Sequence, residues 1–220
     1  MQDLKPNEQR SQNAILLIWI ALALNCISLV SSYFQYDLLQ TAANGGEIST
    51  EAVSSNDNRE QAIGIIQLII FVLSAITFIQ WFRRAYFNLH LRVNHLSQTE
   101  GWAAGCWFVP IVNLFKPYQI MKELFQETHL FLKRNEVHTR EHLSIASLGL
   151  WWTFWIIDRF VGQFVFKYSM KAETIDELTT STIAQLISNG IGIVLAIITI
   201  NIITEYSKLE SLLHKVKITE

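Results

Sequence analysis

Hydrophobic positions in this chain are gathered into four long runs that carry almost no charge, separated by polar segments of unequal length. The first uncharged run extends from Ser11 to Tyr36, the second from Gln61 to Phe82 and the last from Leu178 to Thr204. The third is strictly uncharged only from His142 to Ile157, and reaches Phe166 if Asp158 and Arg159 are tolerated within it. About 20 apolar residues are needed for a helix to cross a bilayer. The pattern therefore predicts spans at roughly 13–36, 61–82, 142–166 and 178–204.

The connection between the second and third runs is the longest, and its middle is itself apolar. Residues 101–115 carry no charge, which is too short a stretch to cross, and Gly101, Gly105, Pro110 and Pro117 argue against one straight helix there. We expect a kinked Trp/Pro-rich segment over 101–118 on the cytoplasmic membrane face, with Gly101 and Gly105 allowing close backbone approach. An amphipathic helix over 119–133 follows, its apolar residues being Ile120, Met121, Leu124, Phe125, Leu130, Phe131 and Leu132. Arg83–Leu91 reads as a continuation of the second helix. Residues 205–217 read as an extension of the fourth, with Leu209, Leu212, Leu213 and Val216 on one stripe, and Asn44-Gly45-Gly46 reads as a turn. The expected fold is thus all-α, one membrane domain over 1–220 built as a bundle of four transmembrane helices.

Composition agrees: 50% of residues are hydrophobic and 16% charged, against about 25% in soluble domains. The net charge of −2 says little, but the placement of charge is informative. Arg59, Lys167 and Lys171 are the only basic residues in the first and third connections, whereas eight lie in the long second connection. Cytoplasmic segments carry the excess of Lys and Arg. Both termini and the 83–141 connection are therefore expected inside. A fifth crossing through the central segment would move Lys116, Lys122, Lys133, Arg134 and Arg140 outside and reverse that balance. A cleaved signal peptide is the rival reading of the first run, but its apolar core is long for one.

Candidate chemistry is sparse. His138, Glu141 and His142 fit an H-x-x-E-H zinc-peptidase pattern, but a polar lead-in to the third span explains them more simply. Asp158 and Arg159 form a candidate intramembrane polar pair; a helix-to-helix or interfacial ion pair is the bland reading and a solute or proton site the sharper one. Asn25, Gln67, Asn189 and Asn201 are expected to hydrogen-bond between helices, and Gly190 and Gly192 to admit a close neighbour. Trp151, Trp152 and Trp155 are expected to pack on the central segment. Arg83, Arg84, Asn88, Asn113, Lys116 and Tyr118 form a candidate lipid-headgroup site, since basic groups near an anionic leaflet attract it at about 1 kcal/mol each. The bland alternative is that the basic residues only set orientation. Cys26 and Cys106 suggest neither a disulfide framework nor a metal site, and no phosphate loop or nucleophile elbow is present.

Arg84-Ala-Tyr86-x-Asn88-Leu, then Gly101-Trp-Ala-x-Gly-x-Trp107-Phe-x-Pro110-x-x-Asn113-Leu-x-x-Pro117-Tyr118, then Leu150-Trp-Trp152 resemble a family of bacterial multi-pass membrane proteins known only as a domain of unknown function. The resemblance covers roughly 64–215. It implies a bacterial inner-membrane location and a pair of spans on either side of a Trp- and Pro-rich middle, and it implies no activity. One departure is Cys106, where an aromatic is expected before Trp107.

The expected function is a non-enzymatic membrane protein with an organising or regulatory role. A small-solute or ion transporter component is the first alternative, and a membrane enzyme acting on lipid or peptide the second. Expected partners are membrane lipids, including anionic headgroups, and a second copy or another membrane protein; nucleic acid and cofactors are not expected. On a variant lacking Cys26 and Cys106, Glu51→Cys should react with a membrane-impermeant reagent in intact spheroplasts and Lys133→Cys should not. Labelling at 133 from outside would refute the four-span arrangement.

Overall fold

The computed structural model describes residues 3–137, 145–213 and 215–216; the H-x-x-E-H set of His138, Glu141 and His142 lies outside them. It is all-helical: α1 (Glu8–Ala43), α2 (Thr50–His90), α3 (Glu100–Gly105), a 3-10 turn (Val112–Leu114), α4 (Lys116–Arg134), α5 (Ile145–Ser169) and α6 (Ile175–Leu213). Three of these, α1, α2 and α6, are long and apolar enough to cross a membrane. Each outruns its uncharged stretch. Most of the expected polar connection over 35–60 is helical, leaving only residues 44–49 to turn.

That turn closes α1 in a Schellman arrangement. Gly46 N–H donates to the Thr41 carbonyl at 2.9 Å and Gly45 N–H to that of Ala42 at 3.0 Å. Gly45 sits at φ +76°, where a Cβ is costly. The same device ends α4, with Val137 N–H on Leu132 O and Glu136 N–H on Lys133 O. There the left-handed position is held by Glu136 at φ +56°.

The chain forms two compact units. The first comprises Met1–Leu17, Leu73–Trp152 and Ile198–Glu220. Its core is aromatic. The Phe78 ring lies 5.5 Å from Trp81, 5.5 Å from Trp107 and 6.2 Å from Trp151. Trp107 meets Trp152 edge-on at 6.1 Å, and Tyr118 stacks on Trp152 at 6.2 Å. Trp152 Nε1–H donates to the Leu114 carbonyl at 2.9 Å. Of the three tryptophans expected against the central segment, Trp152 makes these contacts. Trp151 instead donates to Thr199 Oγ1 at 3.0 Å.

The central segment breaks where the prolines require it. After α3, capped by the Thr99 hydroxyl on Trp102 N–H, the chain turns, and Val112 N–H reaches back to Pro110 O at 2.7 Å. This γ-turn puts Ile111 at φ +67°, ψ −49°, a strained conformation for a β-branched residue. Pro117 then sits in the first turn of α4, where its missing N–H costs nothing. The expected close approach at Gly101 and Gly105 is not seen. A Cβ on Gly105 would meet only Trp102 at 3.5 Å, and one on Gly101 only the Thr99 hydroxyl at 4.0 Å. The buried face of α4 is Pro117, Ile120, Met121, Leu124, Phe125, Thr128 and Leu132, so Thr128 belongs to it and the exposed Leu130 does not.

The second unit comprises Ile18–Val72 and Thr153–Ile197, the facing stretches of α1, α2, α5 and α6. Only 6% of the most apolar window of α2 is buried. Ile65, Ile66, Leu68, Ile69, Phe71 and Val72 are all exposed. A soluble surface does not carry apolar area of that extent; lipid is the medium that accepts it. Polar groups turn inward. Gln67 Nε2 donates to Asn25 Oδ1 at 3.2 Å, and Asn189 Nδ2 to Ser28 Oγ at 2.9 Å. The close-approach glycine is Gly192, where a Cβ would lie 2.6 Å from Asn25 Nδ2; Gly190 has open space. Asn201 is exposed.

Replacing Glu136 by glycine removes the left-handed penalty at the α4 terminus. The variant should gain about 1 kcal/mol, read as a higher unfolding midpoint in detergent.

Candidate functional site

In the first unit, the motif residue Asn88 is fully buried near the end of α2. Its Nδ2 donates to Lys5 O at 2.8 Å and to Glu210 Oε1 at 2.7 Å, while Oδ1 accepts from Lys5 N–H at 3.0 Å. Glu210 Oε2 accepts from Asn7 Nδ2 at 2.8 Å. One buried carboxyl and two amides thus join the segment before α1 to the ends of α2 and α6. Glu210 titrates above its ordinary 4.5, because burial outweighs the two amide bonds and the Arg84 charge that favour its ionised form. Glu123 plays a similar part on α4. It accepts from Tyr86 Oη at 2.6 Å and from Ser97 N–H and Oγ at 2.8 and 2.9 Å.

The six residues of the candidate headgroup site are therefore not alike. Asn88 faces inward and has no donor left for an anionic oxygen. Arg83 is exposed and pairs with Glu100 at 3.5 Å. Arg84 lies over the Phe87 ring at 5.8 Å, and desolvation and the nearby Arg10 lower its pKa. Lys116 donates to Gln119 Oε1 at 3.1 Å. Tyr118 is half-buried on Trp152, and Asn113 is half-buried. Asp158 and Arg159, consecutive on α5, do not meet within 4 Å among the described ion pairs, since adjacent helical residues point apart. Arg159 instead lies over Phe71 at 4.9 Å and Trp155 at 5.4 Å.

The second unit holds a polar cavity of about 200 Å³. Four helices supply its polar lining: Ser28, Ser32 and Gln35 on α1, Glu60 and Gln67 on α2, Ser169 at the end of α5, and Ser181, Thr182 and Gln185 on α6. Gly64, one turn from Glu60, also lines it, and a Cβ there would meet nothing within 4 Å. Ser32 is only 1% exposed, and its hydroxyl has no partner among the described residues. Its oxygen is sealed from the cavity, so the groups a guest would meet are the carboxylate, the amides and the other hydroxyls.

A family model matches residues 44–208, three quarters of the chain and all of the motif-bearing region. The chain belongs to the DUF4328 family. That family is described as a domain of unknown function. No curated protein and no solved structure matches the chain. The DUF4328 match takes in the cavity residues of α2, α5 and α6 and the aromatic core around Trp107 and Trp152, while Asn7, Ser32 and Glu210 fall outside it.

The cavity is absent from the site residues read off the sequence. Ser28, Ser32 and Gln35 recur at four and three residues, as do Glu60, Gly64 and Gln67, and Ser181, Gln185 and Asn189 recur at four. That polar period was the available signal. On α1 and α6 it lies inside the uncharged runs, where single Ser and Gln positions leave the run apolar, and on α2 Glu60 falls just before the run.

Glu210 provides a pH test of the first unit. A carboxyl whose pKa is raised on folding contributes its stability below the unfolded value and loses it as pH rises through the folded one. Glu210→Gln stays neutral, and the unpartnered Asn7 Oδ1 can accept from its amide once Asn7 flips. Relative to wild type, Glu210→Gln should therefore gain stability as pH rises above 4.5. Parallel pH profiles of the unfolding midpoint would contradict the raised carboxyl.

Proposed function

We propose that this DUF4328 protein is a non-enzymatic, four-span protein of the bacterial inner membrane with both termini cytoplasmic, and that it has a regulatory role exercised by binding a small polar solute in the second-unit cavity. The observation that carries the solute reading is a cavity of about 200 Å³ lined by Glu60, Gln35, Gln67 and Gln185 within helices whose outer faces are apolar. The fourth crossing is α5. Its 25 residues span about 37 Å at 1.5 Å per residue, and Phe160, Phe164 and Phe166 are exposed along it. Asp158 and Arg159 interrupt its apolar run, whereas the runs of the other three carry no charge. The basic residues of 83–134 support the inward orientation.

The kinked segment serves as the contact with the cytoplasmic leaflet. Phe108 is 75% and Ile111 74% exposed at the tip of the γ-turn, an arrangement suited to the interfacial region of a bilayer. Arg83, Arg84 and Lys116 are available at that level for anionic headgroups, with Asn113 and Tyr118 as neighbours in sequence to Lys116. A transporter component is the second reading, favoured by the position of the cavity within the spanning helices. It requires flux of the solute into proteoliposomes, which a regulator does not.

A Cβ on Gly64 would meet nothing within 4 Å, so Gly64→Leu is expected to project into the cavity. In detergent, a panel of K⁺, ethylammonium, glycerol and glutamate should contain a solute that raises the unfolding midpoint of wild type and leaves that of Gly64→Leu unchanged. A ligand at a hundred times its Kd stabilises by about 2.7 kcal/mol, well within detection. If no solute acts, or if wild type and Gly64→Leu respond alike, the cavity is not a binding site.

A further inference from the structure

We propose that the second-unit cavity is a site for a small monovalent cation, an alkali ion or a primary alkylammonium, received by Glu60 and a set of side-chain oxygens. This rests on the solute-binding reading and specifies its ligand.

The argument concerns which hydrogen-bonding capacity the lining has left over. Gln35 Nε2 donates to Thr182 Oγ1 at 3.1 Å, and the Thr182 hydroxyl donates in turn to Leu178 O at 2.8 Å. Thr182 can therefore only accept from Gln35, which fixes the Gln35 amide and leaves its carbonyl oxygen free. Gln67 and Gln185 each give one Nε2 hydrogen to an asparagine oxygen, Asn25 at 3.2 Å and Asn189 at 3.2 Å, and like Gln35 keep a second N–H and the carbonyl oxygen. Glu60 Oε1 accepts from Ser31 Oγ at 2.5 Å, and Glu60 Oε2 makes no hydrogen bond among the described residues. The walls therefore offer neutral groups that both donate and accept, together with one carboxylate oxygen. Amide and carboxylate oxygens with no positive charge among the lining residues suit a cation over an anion.

Charge selects the valence. Among the described residues, Glu60 is the only ionisable one lining the cavity, with no Lys, Arg or His beside it in the lining. Arg59, held outside the lining by Ser31 Oγ at 2.7 Å and Asn56 Oδ1 at 2.6 Å, comes within 3.8 Å of Glu60 and offsets part of its charge. Divalent sites recruit several carboxylates or keep many waters; one partly compensated carboxylate matches a single positive charge. A volume near 200 Å³ admits an ion with part of its water shell or a short alkylammonium.

The test uses the full-length protein in detergent with choline chloride as background, choline having no N–H to donate. NaCl, KCl and ethylammonium chloride are titrated separately at constant ionic strength, with glycerol and sodium-free glutamate as neutral and anionic controls. One of the cations should raise the unfolding midpoint saturably in wild type. Its apparent affinity should fall at least about tenfold in Glu60→Gln, which keeps the Ser31 contact, and should also fall in Gln35→Leu, which removes an amide oxygen from the wall. Saturation by Na⁺ or K⁺ identifies an inorganic ion, and saturation by ethylammonium alone an organic one. A response to glycerol or glutamate without any cation response would overturn the cation assignment while leaving the solute-binding cavity standing. No response to any of them, or full affinity in both Glu60→Gln and Gln35→Leu, would overturn the site itself.

Discussion

The constraint on which this structure depends is that its long helices expose apolar side chains outward, so their polar groups must be satisfied within the protein. Lipid offers no hydrogen bonds. In the second unit this drives Asn25, Gln67, Asn189 and Ser28 into pairs with one another. It also makes the leftover groups informative. In a water-exposed protein the free oxygens of Gln35 or Glu60 would mean nothing; among apolar helices they outline what a guest must supply.

The first unit meets the same constraint with different materials. Its core is a set of rings centred on Phe78, Trp107 and Trp152, and these hold a segment whose backbone cannot continue as a helix. Pro110 and the γ-turn at Ile111 interrupt the ladder, and Trp152 Nε1–H takes up the Leu114 carbonyl that the interruption leaves available. Around this core, Glu210 and Glu123 act as acceptors that tie chain segments far apart in sequence. The motif residues that mark the family are largely engaged in this assembly. Tyr86, Asn88, Trp107 and Trp152 are used for packing and internal bonds, and this gives a physical reason for their spacing that involves no ligand.

Both units hold buried polar atoms without a hydrogen-bond partner among the described residues, Ser74 Oγ and Ser207 Oγ in the first and Ser32 Oγ in the second. What sets the second unit apart is a polar-lined cavity that a guest can enter.

Apolar runs of spanning length, the proline breaks, the Gly45-Gly46 turn and the amphipathic period of α4 were legible in the sequence, because each follows from local sterics or from hydrophobic periodicity along a single element. The continuation of α1 and α2 through 35–43 and 50–60 was not, since polar helical turns carry no apolar stripe to reveal them. Nor could the sequence tell that Asn88 is sealed under Lys5 and Glu210 while Lys116 meets only Gln119. Exposure depends on which distant segment folds over a residue. The sequence alone determined an all-helical chain with long apolar helices and a broken middle; the tertiary structure decided which polar residues meet and which are left over, because a hydrogen bond between residues a hundred positions apart leaves no local trace in either.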